Sequence, residues 1–183
     1  HPTRRAERFN EASLCLECHQ AVRSYPGKDF ICVFETGDEW RRGPYARYSC
    51  QFCHMQPVVR PQAAGEPPRP GRRHYWPGAG IYKVEDFGPP LDQLGFGLDV
   101  SVRRAGDELE VELSNAAAGH LLPTGDPERH IRVRVSFTSA AGESIGEPHE
   151  IRIGQIWEWW PEPKKLADNR LAPLESRLEA IAV

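Results

Sequence analysis

The chain has 183 residues, 39% of them hydrophobic, enough apolar material for one ordinary domain or two small ones. A formal net charge of −3 gives no electrostatic reason to bind nucleic acid, and no run of eighteen apolar residues offers a membrane span. Seventeen prolines and sixteen glycines exceed average usage but fall short of a disordered composition.

In chain order, the sequence opens "HPTRRAERF", with neither a methionine nor an apolar signal segment. The expectation is that a signal has been removed or that the chain is a fragment. A helix is expected around "RRAERFNEASLCLECHQAV", residues 4–22, and a shorter one within "TGDEWRRGPYARYSCQFCH", residues 36–54, where Thr36 is a candidate cap. Between them, Cys32 in "DFICVFETG" reads as a small buried residue in an apolar run, with a reactive or intermolecular thiol as the alternative.

The other four cysteines fall into two pairs, each followed at once by histidine: Cys15, Cys18, His19 and Cys50, Cys53, His54. This C-x-x-C-H pattern is that of covalent c-type haem attachment. Two thiols three positions apart can form thioethers to the two vinyl groups on one porphyrin edge. The next residue then sits under the ring centre, where its imidazole binds iron from the proximal side. Two C-x-x-C pairs are also compatible with one zinc site or with redox dithiols, but neither use calls for a histidine after both second cysteines. The expected cofactors are therefore two covalently bound haem c groups. Haem c is attached outside the cytoplasm in bacteria, which predicts a periplasmic or extracellular protein.

Two proximal histidines leave two distal positions to fill, and His1, His74, His120, His130, His149 and Met55 are the candidates. Met55 directly follows His54 and is held on the proximal side. It is also the only methionine, so bis-histidine ligation remains, with potentials toward the lower end of the haem range. The proline-rich stretch from Pro57 to Pro70 is expected to lack regular structure. After it, His74 stands in "RPGRRHYWPGAG", beside two aromatics that suit a porphyrin edge. His120 stands in "NAAAGHLLPTG", a corner whose dense Gly and Pro present one imidazole. His130 and His149 read as ordinary surface histidines, and His1 is undecided because a free terminus is mobile unless tied down. Arg72 and Arg73 are candidates to pair with haem propionates, which would carry the net charge from −3 to about −5.

The texture changes near residue 93. "GFGLDVSVRRAGDELEVELSN" predicts two alternating strands around Ala105-Gly106-Asp107, "HIRVRVSFTSAAGESIGEPHEIRIGQIW" two more around Ala141-Gly142, and "ESRLEAIAV" a last one. Strands joined by short Gly turns argue for an antiparallel β-sandwich. The predicted organisation is a mostly irregular and α-helical haem-binding segment over residues 1–92, then a β-sandwich over 93–183, α+β and organised by its cofactors. The chain stops inside a predicted strand, so the sandwich is expected to be completed by residues beyond Val183.

Taken in order, "CLECH", "TGDEWRRGPYARYSCQFCHM", "HYWPG", a strand pair and "NAAAGHLLPTGDPERHIRVRV" resemble a family of multihaem c-type cytochromes that join a haem-binding segment to a β-sandwich with a Gly-His-x-x-Pro-Thr-Gly corner. The resemblance runs over nearly the whole chain and implies that His120 and His74 are distal haem ligands. Relatives often carry more C-x-x-C-H motifs and a further histidine where this chain reads "AGIYK", in keeping with a reduced haem count here. The resulting expectation is an electron-transfer protein rather than an enzyme, because bis-histidine iron has no open position for a substrate. The alternatives are an extracellular cytochrome that polymerises into filaments and a haem enzyme acting on a small nitrogen or sulfur compound. The expected partners are redox proteins or other copies of the chain, with no nucleic acid and no membrane span.

Overall fold

The computed structural model describes residues 7–25, 28–61, 63–72 and 97–183. The first expected helix is shorter than its sequence signal. A 3-10 turn at Glu7–Asn10 precedes α1, Ala12–His19, and the chain then bends at Gln20 into β1, Ala21–Tyr25. β1 pairs antiparallel with β2, Lys28–Phe34, placing Arg23 opposite Cys32. The β-branched and aromatic residues of "KDFICVF" favour an extended backbone over continued helix.

The second expected helix divides into α2, Thr36–Arg42, and α3, Cys50–His54, because Gly43 and Pro44 interrupt it. Thr36 is not the cap. Gln20 serves α2 instead: its Oε1 accepts from the Asp38 backbone N–H at 2.9 Å, while its Nε2 donates to Asp38 Oδ2 at 2.9 Å. That satisfies one of the orphan donors at the helix start from outside the helix. At Gly37 a Cβ would meet the Leu16 side chain at 2.6 Å and Gln20 Oε1 at 2.8 Å, so α1 and α2 approach closely only because no side chain stands there.

The expectation of no regular structure between Pro57 and Pro70 is corrected. β3, Pro57–Arg60, and β4, Arg69–Arg72, form an antiparallel pair with Pro57 opposite Arg72 and Val59 opposite Pro70. Both strands of a two-stranded ladder are edges, where a missing N–H is tolerated. The haem-motif segment therefore holds two strand pairs as well as helices, rather than being mainly irregular and helical.

The C-terminal strands follow the alternation read from the sequence. β5, Leu98–Ala105, and β6, Glu108–Asn115, turn at Gly106, and β10, Ser176–Ala182, joins the far side of β6. β7, His130–Thr138, and β8, Ser144–Glu158, pair across the Gly142 turn, and β9, Lys164–Asp168, adds to β8. Every pairing is antiparallel, giving sheets ordered β10-β6-β5 and β7-β8-β9. β9 escapes the sequence pattern because all five of its residues are exposed, so no buried face marks it.

The two sheets share one core. Val111, Leu113 and Ile181 from the first sheet pack with Ile151 and Ile153 from the second, closed by Leu171. Burying a side chain of this size contributes about 1.5–3 kcal/mol. Among the described residues, no helix is long and apolar enough to cross a membrane.

Candidate functional site

Each C-x-x-C-H motif coincides with a short helix. Cys15 and Cys18 lie on α1 with His19 as its last residue, and Cys50 and Cys53 lie on α3 with His54 as its last. Helical spacing of three puts the two thiols of each pair on one face. Cys15 and Cys50 are half-buried, whereas Cys18 and Cys53 are exposed. The motifs are neighbours: burial and the adjacent Cys15 push the Cys50 thiol up to about 11. Burial also raises the Cys53 thiol.

Gln51, between the cysteines of the second motif, joins the two helices. It is buried, and its amide donates to the carbonyls of Phe9 at 3.2 Å and Glu11 at 2.6 Å, at the entry to α1. Its role escaped the sequence reading because it occupies one of the two unspecified positions of the motif.

His54 faces the corner "GHLLPTG". Its ring centre lies 6.2 Å from that of His120, with the two planes within 9° of parallel. An imidazole nitrogen sits about 1.1 Å from its ring centre and a metal–imidazole bond is about 2 Å long, so two rings on opposite sides of one metal have centres about 6 Å apart. The spacing therefore fits a single iron between them. Burial, together with the neighbouring His120 and His19, lowers the His54 pKa to about 4. The ring is thus neutral at pH 7, the form that binds metal.

The His120 ring bonds the Leu121 carbonyl through Nδ1 at 2.9 Å. A carbonyl only accepts, so Nδ1 is the donor in this bond, and in the neutral ring Nε2 keeps its lone pair for a metal. The backbone beneath is fixed by Asn115, fully buried at the end of β6, whose amide donates to the carbonyls of His120 at 3.0 Å and Leu171 at 3.1 Å. Asn115 Oδ1 accepts from the Ala118 N–H at 3.0 Å, and Leu122 bridges to Leu171. Gly119 packs against α2's exit so closely that a Cβ on Gly43 would lie 2.7 Å from the Gly119 carbonyl oxygen.

The surroundings suit a large apolar group. Phe9 and Phe52, beside the two motifs, are 65% and 63% exposed, an arrangement that a porphyrin face would cover. Phe52 also stacks on Tyr48 at 4.8 Å. Among the described residues, no group of three or more His, Cys, Asp and Glu side chains is arranged to hold a bare metal ion.

His74, His1 and Arg73 lie outside the described residues. His130 and His149 are exposed on β7 and β8, and His130 Nδ1 bonds the Glu128 carbonyl at 3.1 Å. Arg72 donates to the Met55 carbonyl at 3.0 Å.

No family model matches this chain, and no curated protein does. Its structure is similar to the crystal structure of a penta-heme cytochrome c552 from Thermochromatium tepidum, with a TM-score of 0.57 and 19% sequence identity. The similarity covers 97% of this chain and 45% of that one, so the chain spans less than half of that cytochrome's length. The chain thus shares its fold with part of that cytochrome.

Proposed function

We propose that this chain carries two covalently bound haem c groups and transfers electrons outside the cytoplasm without a substrate of its own. The observation that carries the reading is the His54–His120 pair, two imidazoles at one-metal spacing, one of them the last residue of a C-x-x-C-H helix. When bound, each haem supplies a one-electron ferric–ferrous couple.

The chain's own residues supply the rest. Cys15 and Cys18 hold one porphyrin and Cys50 and Cys53 the other, with His19 and His54 as proximal ligands. His120 would be the distal ligand at the second motif, with its Nδ1 engaged by the Leu121 carbonyl and Nε2 left to bind iron. His74 is assigned to the first motif on the resemblance alone. Occupation of both axial positions leaves no place for a substrate, which favours electron transfer over catalysis. The expected partners are redox proteins or further copies of the chain, and the setting is periplasmic or extracellular.

Mass spectrometry of the denatured chain tests the reading. Two added haems should survive denaturation, with Cys15, Cys18, Cys50 and Cys53 closed to alkylation. Four alkylated cysteines with about one zinc per chain would replace the cytochrome by a zinc protein.

A further inference from the structure

Helix α2 lies between the two halves of the proposed iron site and touches both through adjacent residues. On one side, Trp40 Nε1 donates to the Tyr48 carbonyl at 3.0 Å, just before α3 and His54. On the other, Glu39 reaches the corner that bears His120. Its Oε2 accepts from Thr124 Oγ1 at 2.6 Å, and its Oε1 accepts from Arg170 Nη1 at 2.6 Å. The Glu39 and Arg170 side chains are only 4% and 5% exposed, although both carry charge.

The proton order of this cluster follows from its donors. Thr124 has one hydroxyl proton, given to the Glu39 carboxylate, so Thr36 must be the donor in the 2.8 Å contact between the Thr36 and Thr124 hydroxyls. Arg170 in turn holds Asp168 through two bonds, at 2.9 and 2.8 Å. The Glu39 carboxylate therefore joins α2 to the Pro-Thr-Gly end of the corner through Thr124 on one side, and to the end of β9 through Arg170 on the other.

Buried ion pairs contribute little net stability, because desolvation offsets most of the attraction; their attested value is in fixing one arrangement over others. Here the arrangement fixed is that of the corner. Asn115 holds the His120 backbone, the Gly43–Gly119 approach limits its travel, and the Glu39 cluster pins Thr124, four residues further on.

We propose that Glu39, acting through Thr124 and Arg170, is a positioning residue that sets the distance and orientation of His120 relative to His54. This rests on His120 being the distal ligand. Loss of the Thr124 bond should let the corner relax and weaken the second axial bond. A hydrogen bond to a charged group, once removed, corresponds to about a tenfold change in an equilibrium, here the ratio of six- to five-coordinate iron at that haem.

The experiment uses the haem-loaded protein and four variants. Thr124→Val removes the hydroxyl, and Thr124→Ser restores it. Leu113→Ala weakens the sheet core without touching the cluster, and His120→Ala removes the ligand. Readouts are ferric electron paramagnetic resonance, which senses the mutual orientation of the axial rings, and carbon monoxide binding to the reduced protein. Thr124→Val should shift the low-spin signal of one haem and admit carbon monoxide at that haem, while Thr124→Ser and Leu113→Ala match the parent. A Thr124→Val protein with the parent's resonance and no carbon monoxide binding overturns the positioning role alone, provided that His120→Ala is high-spin. A low-spin His120→Ala protein overturns the ligand assignment and the positioning role together.

Discussion

Glu39 and Arg170 stand 131 positions apart in the chain and meet at 2.6 Å, both side chains withdrawn from solvent. One comes from the helix between the haem motifs and the other from the stretch between β9 and β10. Their contact ties the N-terminal segment to the sheets.

The acid sensitivity of that contact runs through Asp168. Burial alone would raise its carboxyl pKa, but the hydrogen bonds and charge of Arg170, with a further bond from Lys165, hold it below the ordinary value. The stabilisation is present above the unfolded carboxylate range, near pH 4, and is lost as pH falls through the lowered native value. Urea midpoints measured from pH 7 to pH 2 should fall less steeply for Asp168→Asn than for the parent. Parallel profiles would show that Asp168 contributes nothing to acid stability.

His120→Ala should leave both haems attached but strip one of its distal ligand. Its ferric spectrum should gain a high-spin component, the reduced form should bind carbon monoxide, and the potential should rise because a donor favouring ferric iron is gone. His130→Ala and His149→Ala should remain low-spin at both irons. Optical spectra of the three variants decide the matter, and an unaltered His120→Ala spectrum would exclude it as a ligand.

Glycine positions at the corner should differ in tolerance. Gly43→Ala would put a Cβ 2.7 Å from the Gly119 carbonyl oxygen, a backbone atom that cannot swing aside. Gly119→Ala would meet the Tyr45 side chain at 3.3 Å, a smaller intrusion. Thermal unfolding should show Gly43→Ala losing about 1–3 kcal/mol and Gly119→Ala less. The reverse order would mean that the corner does not bear on α2 as described.

Leu113 is fully buried at the meeting of the two sheets. Leu113→Ala should cost about 2–5 kcal/mol in denaturant unfolding. A loss below about 1 kcal/mol would indicate that the sheets do not depend on this shared core.

β6 and β7 were legible in the sequence because their alternation coincides with a buried face, and the turns at Gly106 and Gly142 because those glycines stand at positive φ, 65° and 85°; β5 alternates too, although its Val100 and Val102 are exposed. The two C-x-x-C-H motifs stand out in the sequence because fixed residue types recur at fixed spacing, and the structure places each on a short helix. β9 was not legible, since an exposed edge strand leaves no apolar period. β3 and β4 were hidden by prolines that a two-stranded ladder accepts at its edges. Glu39, Arg170 and Asn115 were missed for a different reason: each reads as an ordinary polar residue until the fold buries it against a partner. Only the spatial meeting of α2, the end of β6 and the stretch after β9 gives those side chains their roles.

Gln51 gives both of its amide hydrogens to backbone ahead of α1, although it belongs to α3. Helices of eight and five residues have little independent stability in water, so each borrows its shape from the other. A tilt of α3 pulls on Phe9 and Glu11, and a shift at the start of α1 pulls back on Gln51. On the proposed function, haem attachment at one motif should prepare the other, and half-filled chains should be scarcer than two independent attachment events would produce.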